Sequence, residues 1–211
     1  MCYHVLNRGN GRMDIFHKPE DFDAFTKVLA EGLGRYRVEL LAWCLMSNHW
    51  HVVMRPRQAD ALGKLMGWVG VTHMRRHHSH YHTIGGGHLY QGRFKSFPVQ
   101  DDLHFLSVCR YVEANPMRAG LVKKAEAWRW SSLGDRQSET PLLETVEWPV
   151  DRPRNWTALA NQPMDTDDTE AVRTSITRDR PFGSAEWVSK TAKRLGLGYT
   201  LRGRGRPKKK L

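Results

Sequence analysis

The sequence predicts an α+β fold in which one antiparallel sheet carries its helices on one face. Three observations lead there. Apolar runs with strand and helix periods follow one another in the order βαββαβα over the first half of the chain, an order that builds a sheet layered with helices. Two of the strand-like runs, Val38 to Met46 and His49 to Met54, are separated only by Ser47-Asn48, a tight turn that makes them antiparallel neighbours. No repeat at a spacing of about 20–50 residues is present, which excludes solenoids and propellers.

Tyr3 to Arg8 reads as a short strand that stops at Gly9-Asn10-Gly11. From Pro19 to Leu33 the apolar residues Phe22, Phe25, Val28 and Leu29 fall near one helical face, and Gly32 and Gly34 end the pattern. Ala61 to His82 is a second helix with Leu62, Leu65, Met66 and Val69 inward, followed by the flexible run Gly85-Gly86-Gly87. Leu89 to Val99 supplies one or two more strands. Asp101-Asp102 opens a third helix whose core positions are Leu103, Leu106 and Cys109.

Beyond residue 133 the character changes. Residues 1–133 form the first domain, and residues 134–183, rich in Pro, Asp, Arg and Thr, read as an irregular connection with a short helix around Glu170 to Ile176. Residues 184–201 hold a short helical segment, with Ser184 as N-cap, Trp187, Val188, Ala192 and Leu195 on one side, and Gly196 as C-cap. Residues 202–211 are a basic tail too polar to fold alone.

The chain has 33 Lys+Arg against 22 Asp+Glu, a formal net charge of +11 over 211 residues, which favours a polyanionic partner. The tail carries six of those charges, at Arg202, Arg204, Arg206, Lys208, Lys209 and Lys210. Three cysteines, Cys2, Cys44 and Cys109, without a C-x-x-C, argue against a disulfide framework or a zinc site and fit a reducing compartment. No apolar stretch is long enough to span a bilayer and the N-terminus lacks a signal-peptide pattern, so no membrane partner and a cytoplasmic location are expected.

The chemistry-bearing residues stand out against this background. His49 and His51 flank Trp50 in a strand-like run, so both imidazoles point to one face while Trp50 and Val52 point to the other. Two such rings can reach one divalent cation. With 11 histidines in the chain, chance supplies about half an H-x-H, so spacing alone decides little. The pair reads either as a metal site or as hydrogen-bonded core histidines. The two further H-x-H patterns, His78-Ser79-His80 and His80-Tyr81-His82, sit in a polar, basic stretch and read as a solvated, phosphate-facing helix end. Tyr111 lies on a helix-like run ending at Asn115-Pro116, and taken alone it reads as a surface hydroxyl on an amphipathic helix.

Met46-Ser47-Asn48-His49-Trp50-His51-Val52-Val53 resembles the motif of the HUH single-strand nucleases. Asn7-Arg8-Gly9-Asn10, then Gly87-His88-Leu89-Tyr90-Gln91-Gly92-Arg93-Phe94-Lys95-Ser96, then Tyr111-Val112-Glu113-Ala114-Asn115-Pro116-Met117-Arg118-Ala119-Gly120-Leu121-Val122 resemble, in order and spacing, its REP-associated tyrosine transposase branch. Trp128-Arg129-Trp130-Ser131-Ser132 completes a likeness that covers roughly residues 3–133. Its departure lies at the start: the chain begins two residues before the first matched strand. The family usually carries a short lead-in there, and a shortened start would weaken DNA specificity before catalysis.

The resemblance implies a ferredoxin-like fold and a metal-dependent transposase that recognises a DNA hairpin and cleaves the adjacent single strand. Tyr111 would be the nucleophile, forming a 5′-phosphotyrosine. His49 and His51 would hold Mg²⁺ or Mn²⁺, with Asn115, one helical turn after Tyr111, as a further ligand. Arg8, Arg93, Lys95 and Arg118 belong to the matched blocks and would touch the nucleic acid, and Tyr90 and Phe94 are candidates for base stacking or core packing. The base that activates Tyr111 stays unassigned. Arg204-Gly205-Arg206-Pro207 resembles an AT-hook core for A·T-rich duplex, against the alternative of a nonspecific basic tail. A monomer or homodimer, associated with the bacterial nucleoid, is expected. The alternative from another class is a domesticated hairpin-binding protein that no longer cleaves.

Overall fold

The computed structural model describes residues 1–203, so Arg204 and Arg206 lie outside the described residues. Four strands, β1 (Cys2–Arg8), β2 (Val38–Met46), β3 (His49–Pro56) and β4 (Lys95–Val99), form one sheet in the order β2-β3-β1-β4, every pair antiparallel. This is the expected antiparallel α+β sheet, with the ferredoxin-like order. The turn at Ser47-Asn48 joins β2 to β3 and sets Met46 opposite His49.

Side chains alternate between two cores. Trp43, Leu45, Trp50, Val52 and Met54 face one side, where α1 (Pro19–Arg35) and α2 (Ala61–His80) supply Phe22, Phe25, Leu29, Leu65 and Val69. Leu41, Ala42, Cys44, Met46, Val53 and Phe97 face the other, where α3 (Leu103–Glu113) supplies Phe105, Val108, Cys109 and Val112. Helices therefore cover both faces, which corrects the expectation of one. The two crossover helices share a face, and the third, once clear of β4, packs on the opposite one because that face is equally apolar. Within α3 the phase also shifts: Leu103 is 76 % exposed and Phe105 takes the core position instead. Asp102 caps the helix by accepting the His104 N–H at 2.8 Å. Leu89 to Val99 gives one strand only, the earlier part being irregular with a single bridge from Tyr90 to Gly9.

After α4 (Asn115–Arg118) and α5 (Ser132–Asp135), residues 134–183 hold more structure than an irregular connection. They carry α6 (Trp156–Ala160) and α7 (Thr166–Arg178), and they place Trp148, Trp156, Ala160, Val172 and Phe182 in the second core. Val146 N–H donates to Leu40, Trp130 accepts from Leu45 N–H, and Phe182 exchanges backbone bonds with Pro98 and Gln100. Both exposed edges of the sheet are thereby covered. The anchor is Glu113, fully buried, whose carboxylate accepts from Ser132 Oγ at 2.5 Å, Arg136 Nη2 at 2.6 Å and Trp156 Nε1 at 2.6 Å. Helix α8 (Ala185–Arg194) has the expected Ser184 cap, and Gly196 beyond it takes the left-handed φ of 68° that suits glycine.

Candidate active site

A cavity of about 810 Å³ opens on the α3 face of the sheet. Its floor is the ends of β1 and β3, because the register sets Leu6 opposite His51 and Arg8 opposite His49. The alternation expected of the H-x-H run holds: Trp50 and Val52 enter the first core, while His49 and His51 turn into the cavity. Their ring centroids lie 5.0 Å apart at right angles. Tyr111 comes in from α3, its ring 6.0 Å from that of His51 and edge-on to it. Helix α3 ends at Glu113, and Asn115 restarts the chain as α4 with Pro116 in its first turn. That break keeps Asn115, 7 % exposed, in the wall of the same cavity.

Each ligand candidate is held by its Nδ1. His49 Nδ1 lies 2.6 Å from Asn48 Oδ1, and His51 Nδ1 lies 2.9 Å from Nε2 of His4, so in both rings Nε2 is the nitrogen left over. Burial pushes His49 down to about 4, with Arg8 and Arg118 adding to it, and holds His51 well below its ordinary value. Both rings are therefore neutral at pH 7, the state a metal ligand requires. Among the described residues no three His, Cys, Asp or Glu side chains gather as a metal cluster. The donor set is instead two neutral imidazoles and one amide. It fits a hard divalent cation only as an open shell, completed by water or by oxygens of a bound anion.

The walls are cationic. Arg8, Arg93, Lys95, Arg118 and Arg173 line the cavity, and none of its lining residues is a carboxylate. The Arg118 guanidinium lies 4.0 Å over the Tyr111 ring and donates to the Tyr111 carbonyl at 3.2 Å. Lys95 is partly engaged, its Nζ reaching the carbonyls of Ile176 and Thr177 at 3.4 and 3.3 Å at the end of α7. Tyr90 does not face this cavity as a stacking platform. It is buried in the first core, its hydroxyl 2.7 Å from His73 Nδ1 and 3.2 Å from Trp50 Nε1, and Phe94 packs against the same core. Glu113, two residues from the tyrosine, is spent on the extension and is no base for it.

Sequence reasoning brought His49, His51, Tyr111, Asn115 and four of the five lining cations to one place. It missed Arg173, on a polar helix whose approach to the cavity no local pattern announces. It also missed His4, 0 % exposed, its ring near-parallel to that of His51 with centroids 5.0 Å apart. The signal for His4 was present: a lone histidine inside an apolar strand must find a partner, as the pair in β3 must.

A four-stranded antiparallel sheet thus sets paired strand histidines against a helix tyrosine in a basic cavity. The family model described as "Transposase IS200 like" matches residues 1–115. The chain belongs to the IS200-like transposase family. Among solved structures it is similar to a REP-associated tyrosine transposase bound to a REP hairpin, at 16 % identity and a TM-score of 0.51 over 72 % of this chain and 87 % of that one. A second, a protein from Deinococcus radiodurans named as a candidate transposase, matches at 16 % identity and a TM-score of 0.40, covering 57 % of this chain and 85 % of that one. No curated protein matches. Among the described residues no helix is long and apolar enough to cross a membrane.

Proposed function

We propose that this transposase is a single-strand DNA endonuclease and strand transferase of the REP-associated type, using Tyr111 as its one nucleophile. The observation that carries the reading is convergence: Tyr111, His49, His51, Asn115 and five cations line one cavity that holds no carboxylate. The Tyr111 oxygen attacks the scissile phosphorus as its proton leaves. The P–O3′ bond breaks, giving a 5′-phosphotyrosine and, after proton uptake, a free 3′-OH. Because the ester conserves the energy of the broken bond, a second 3′-OH can reverse the step and join new ends without ATP.

Arg118 and Arg173 offer positive charge to oxygens that become negative during attack, while Arg8, Arg93 and Lys95 hold flanking phosphates. His49 and His51, with the Asn115 amide, are the residues that would hold Mg²⁺ or Mn²⁺. Such a cation polarises the scissile phosphate when bound. Five cations around the ligands disfavour it until phosphate oxygens arrive, so DNA and metal should bind with mutual help. The hairpin, by analogy with the REP-bound relative, would sit on the basic rim. The tail, through Arg204 and Arg206, would add contacts to A·T-rich duplex. The setting of this reaction is the cytoplasm, at the nucleoid.

The test is a labelled single-stranded hairpin library incubated with the protein and Mg²⁺ or Mn²⁺. Wild type should give a denaturation-resistant adduct and a free 3′-OH fragment. Tyr111→Phe keeps the ring and its packing under Arg118, so it should bind hairpins but lose adduct and fragment together. Cleavage by Tyr111→Phe would mean that water or another residue attacks. Hairpin binding by wild type without any adduct would favour a domesticated binder.

A further inference from the structure

The two strand histidines are not held alike, and the difference assigns a role to a third. His49 Nδ1 faces the amide oxygen of Asn48 at 2.6 Å. An amide oxygen only accepts, so the proton of His49 sits on Nδ1 and its Nε2 keeps a lone pair. His51 Nδ1 instead faces Nε2 of His4 at 2.9 Å, in rings lying within 12° of parallel and edge to edge. Either imidazole can donate in that bond. If His4 donates, the proton of His51 lies on Nε2 and that nitrogen cannot bind a cation. If His51 donates, its Nε2 is free toward the cavity and the proton of His4 moves to its own Nδ1. That Nδ1 is buried without a hydrogen-bond partner, so nothing else bonded to His4 selects a tautomer. Phe97, edge-on at 4.9 Å, and full burial keep the His4 ring in place.

We propose that His4 is a positioning residue for the cavity's cation: its Nε2 accepts a hydrogen bond from the His51 Nδ1–H, so that His51 presents Nε2 unprotonated. The proposal rests on His49 and His51 being metal ligands. In the bound form the protons of His4 and His51 both sit on Nδ1; where His4 donates before binding, each of these two rings moves its proton from Nε2 to Nδ1 and none is released. Ring partners of this kind set ligand orientation and basicity, and their loss commonly costs about 10–100-fold in metal affinity. A purely structural His4 makes a different demand, a well-packed apolar group.

Two variants separate these roles. His4→Leu fills the site without an acceptor, and His4→Gln offers an amide oxygen in a less apolar group. Manganese binding in the presence of saturating hairpin DNA, followed by electron paramagnetic resonance and corrected for the Mn²⁺ held by the DNA alone, should weaken about 10–100-fold in His4→Leu. It should return to within a few-fold of wild type in His4→Gln. Long-range ¹H–¹⁵N spectra of wild type saturated with Mg²⁺ should show His51 protonated on Nδ1, a readout that stands even where His4→Leu does not fold. Wild-type affinity in His4→Leu, weaker binding in His4→Gln than in His4→Leu, or His51 protonated on Nε2 in the Mg²⁺ form would each overturn the role of His4 alone. Absence of Mn²⁺ binding in wild type with hairpin DNA bound, beyond the Mn²⁺ held by the DNA alone and matched by His49→Ala, would overturn the metal reading and this inference with it.

Discussion

Both faces of the sheet bury histidines, and they do so to opposite ends. On the α1–α2 face His73 sits among Phe16, Phe25 and Tyr90, and its Nδ1 meets the Tyr90 hydroxyl, which in turn meets Trp50 Nε1. That network ties His73, Tyr90 and Trp50 together in the first core, and the His73 ring also borders a smaller cavity with Asp21 and His77. On the α3 face His51 also has a buried partner, His4, but the chain of contacts runs outward to a cavity walled by five cations. A buried imidazole is expensive wherever it lies. Where its partners are a core hydroxyl and indole it is structural, and where the ring faces a second histidine, a tyrosine and five cations the cost is tolerated for chemistry.

The sharpest way to break this contrast is to damage each face and compare the losses. His49→Ala or His51→Ala should lower hairpin cleavage by about 10³-fold or more, because the charge stabilisation a bound cation supplies is several kcal/mol. Hairpin binding should hold in both, and thermal stability should hold in His49→Ala, whereas His51→Ala removes the partner of buried His4 and should cost about 1–3 kcal/mol as well. Tyr90→Phe should do the reverse. It strips the partner from His73 Nδ1 and Trp50 Nε1, costing about 1–3 kcal/mol for each group left unpaired, while cleavage at 25 °C stays at the wild-type rate. Cleavage assays beside thermal melts read both. Undiminished cleavage by His51→Ala, or a cleavage defect in Tyr90→Phe with no change in melting, would erase the distinction.

Acid acts on the α1–α2 face in a defined window. Burial pushes His73 down to about 3, with His77 adding to the effect and Asp21 opposing it. Its folded value is depressed below the unfolded value near 6.5. Between those values the unfolded chain takes a proton that the native chain refuses, so stability falls as pH falls below about 6.5 and levels off only near 3. The sum is on the order of a few kcal/mol. His73→Gln keeps a hydrogen-bonding group beside the Tyr90 hydroxyl but cannot titrate. Urea unfolding at pH 7, 6, 5 and 4 should give a shallower decline for His73→Gln than for wild type. Parallel declines would mean that this ring is not held neutral by its core.

Legibility in the sequence followed the range of the interactions. Strand alternation placed Trp50 and Val52 against one core and His49 and His51 away from it, and helical spacing placed Phe22, Phe25, Leu65 and Val69 correctly, because these depend only on backbone period. The side on which α3 packs was not legible, since Leu103, Phe105 and Leu106 offer more than one apolar phase and only the filled first core decides among them. Nor was the architecture of residues 134–183. Their polar composition conceals Trp148, Trp156 and Phe182, three large anchors far apart in sequence that meet only on the folded sheet. The site was half legible for the same reason: the β3 pair is local, whereas the His4–His51 bond spans 47 residues and Arg173 arrives from the extension.

The smallest expected effect concerns that arrival. Arg173 stands on α7, beyond the stretch matched by the family model, yet lines the cavity with Tyr111. It is also paired with Glu170 at 2.9 Å on an exposed helix face, 53 % and 61 % accessible, where an ion pair contributes little to stability. If the extension belongs to the site face as chemistry and not merely as cover, Arg173→Ala should slow adduct formation several-fold while leaving the melting temperature in place. Arg173→Lys, a point charge without the guanidinium fork, should recover part of the rate. Glu170→Ala frees the guanidinium and should not slow the reaction. Single-turnover adduct formation at two salt concentrations separates a local contact from a general field: the defect of Arg173→Ala should persist at high salt if the side chain touches the scissile region, and fade if it only attracts DNA from a distance.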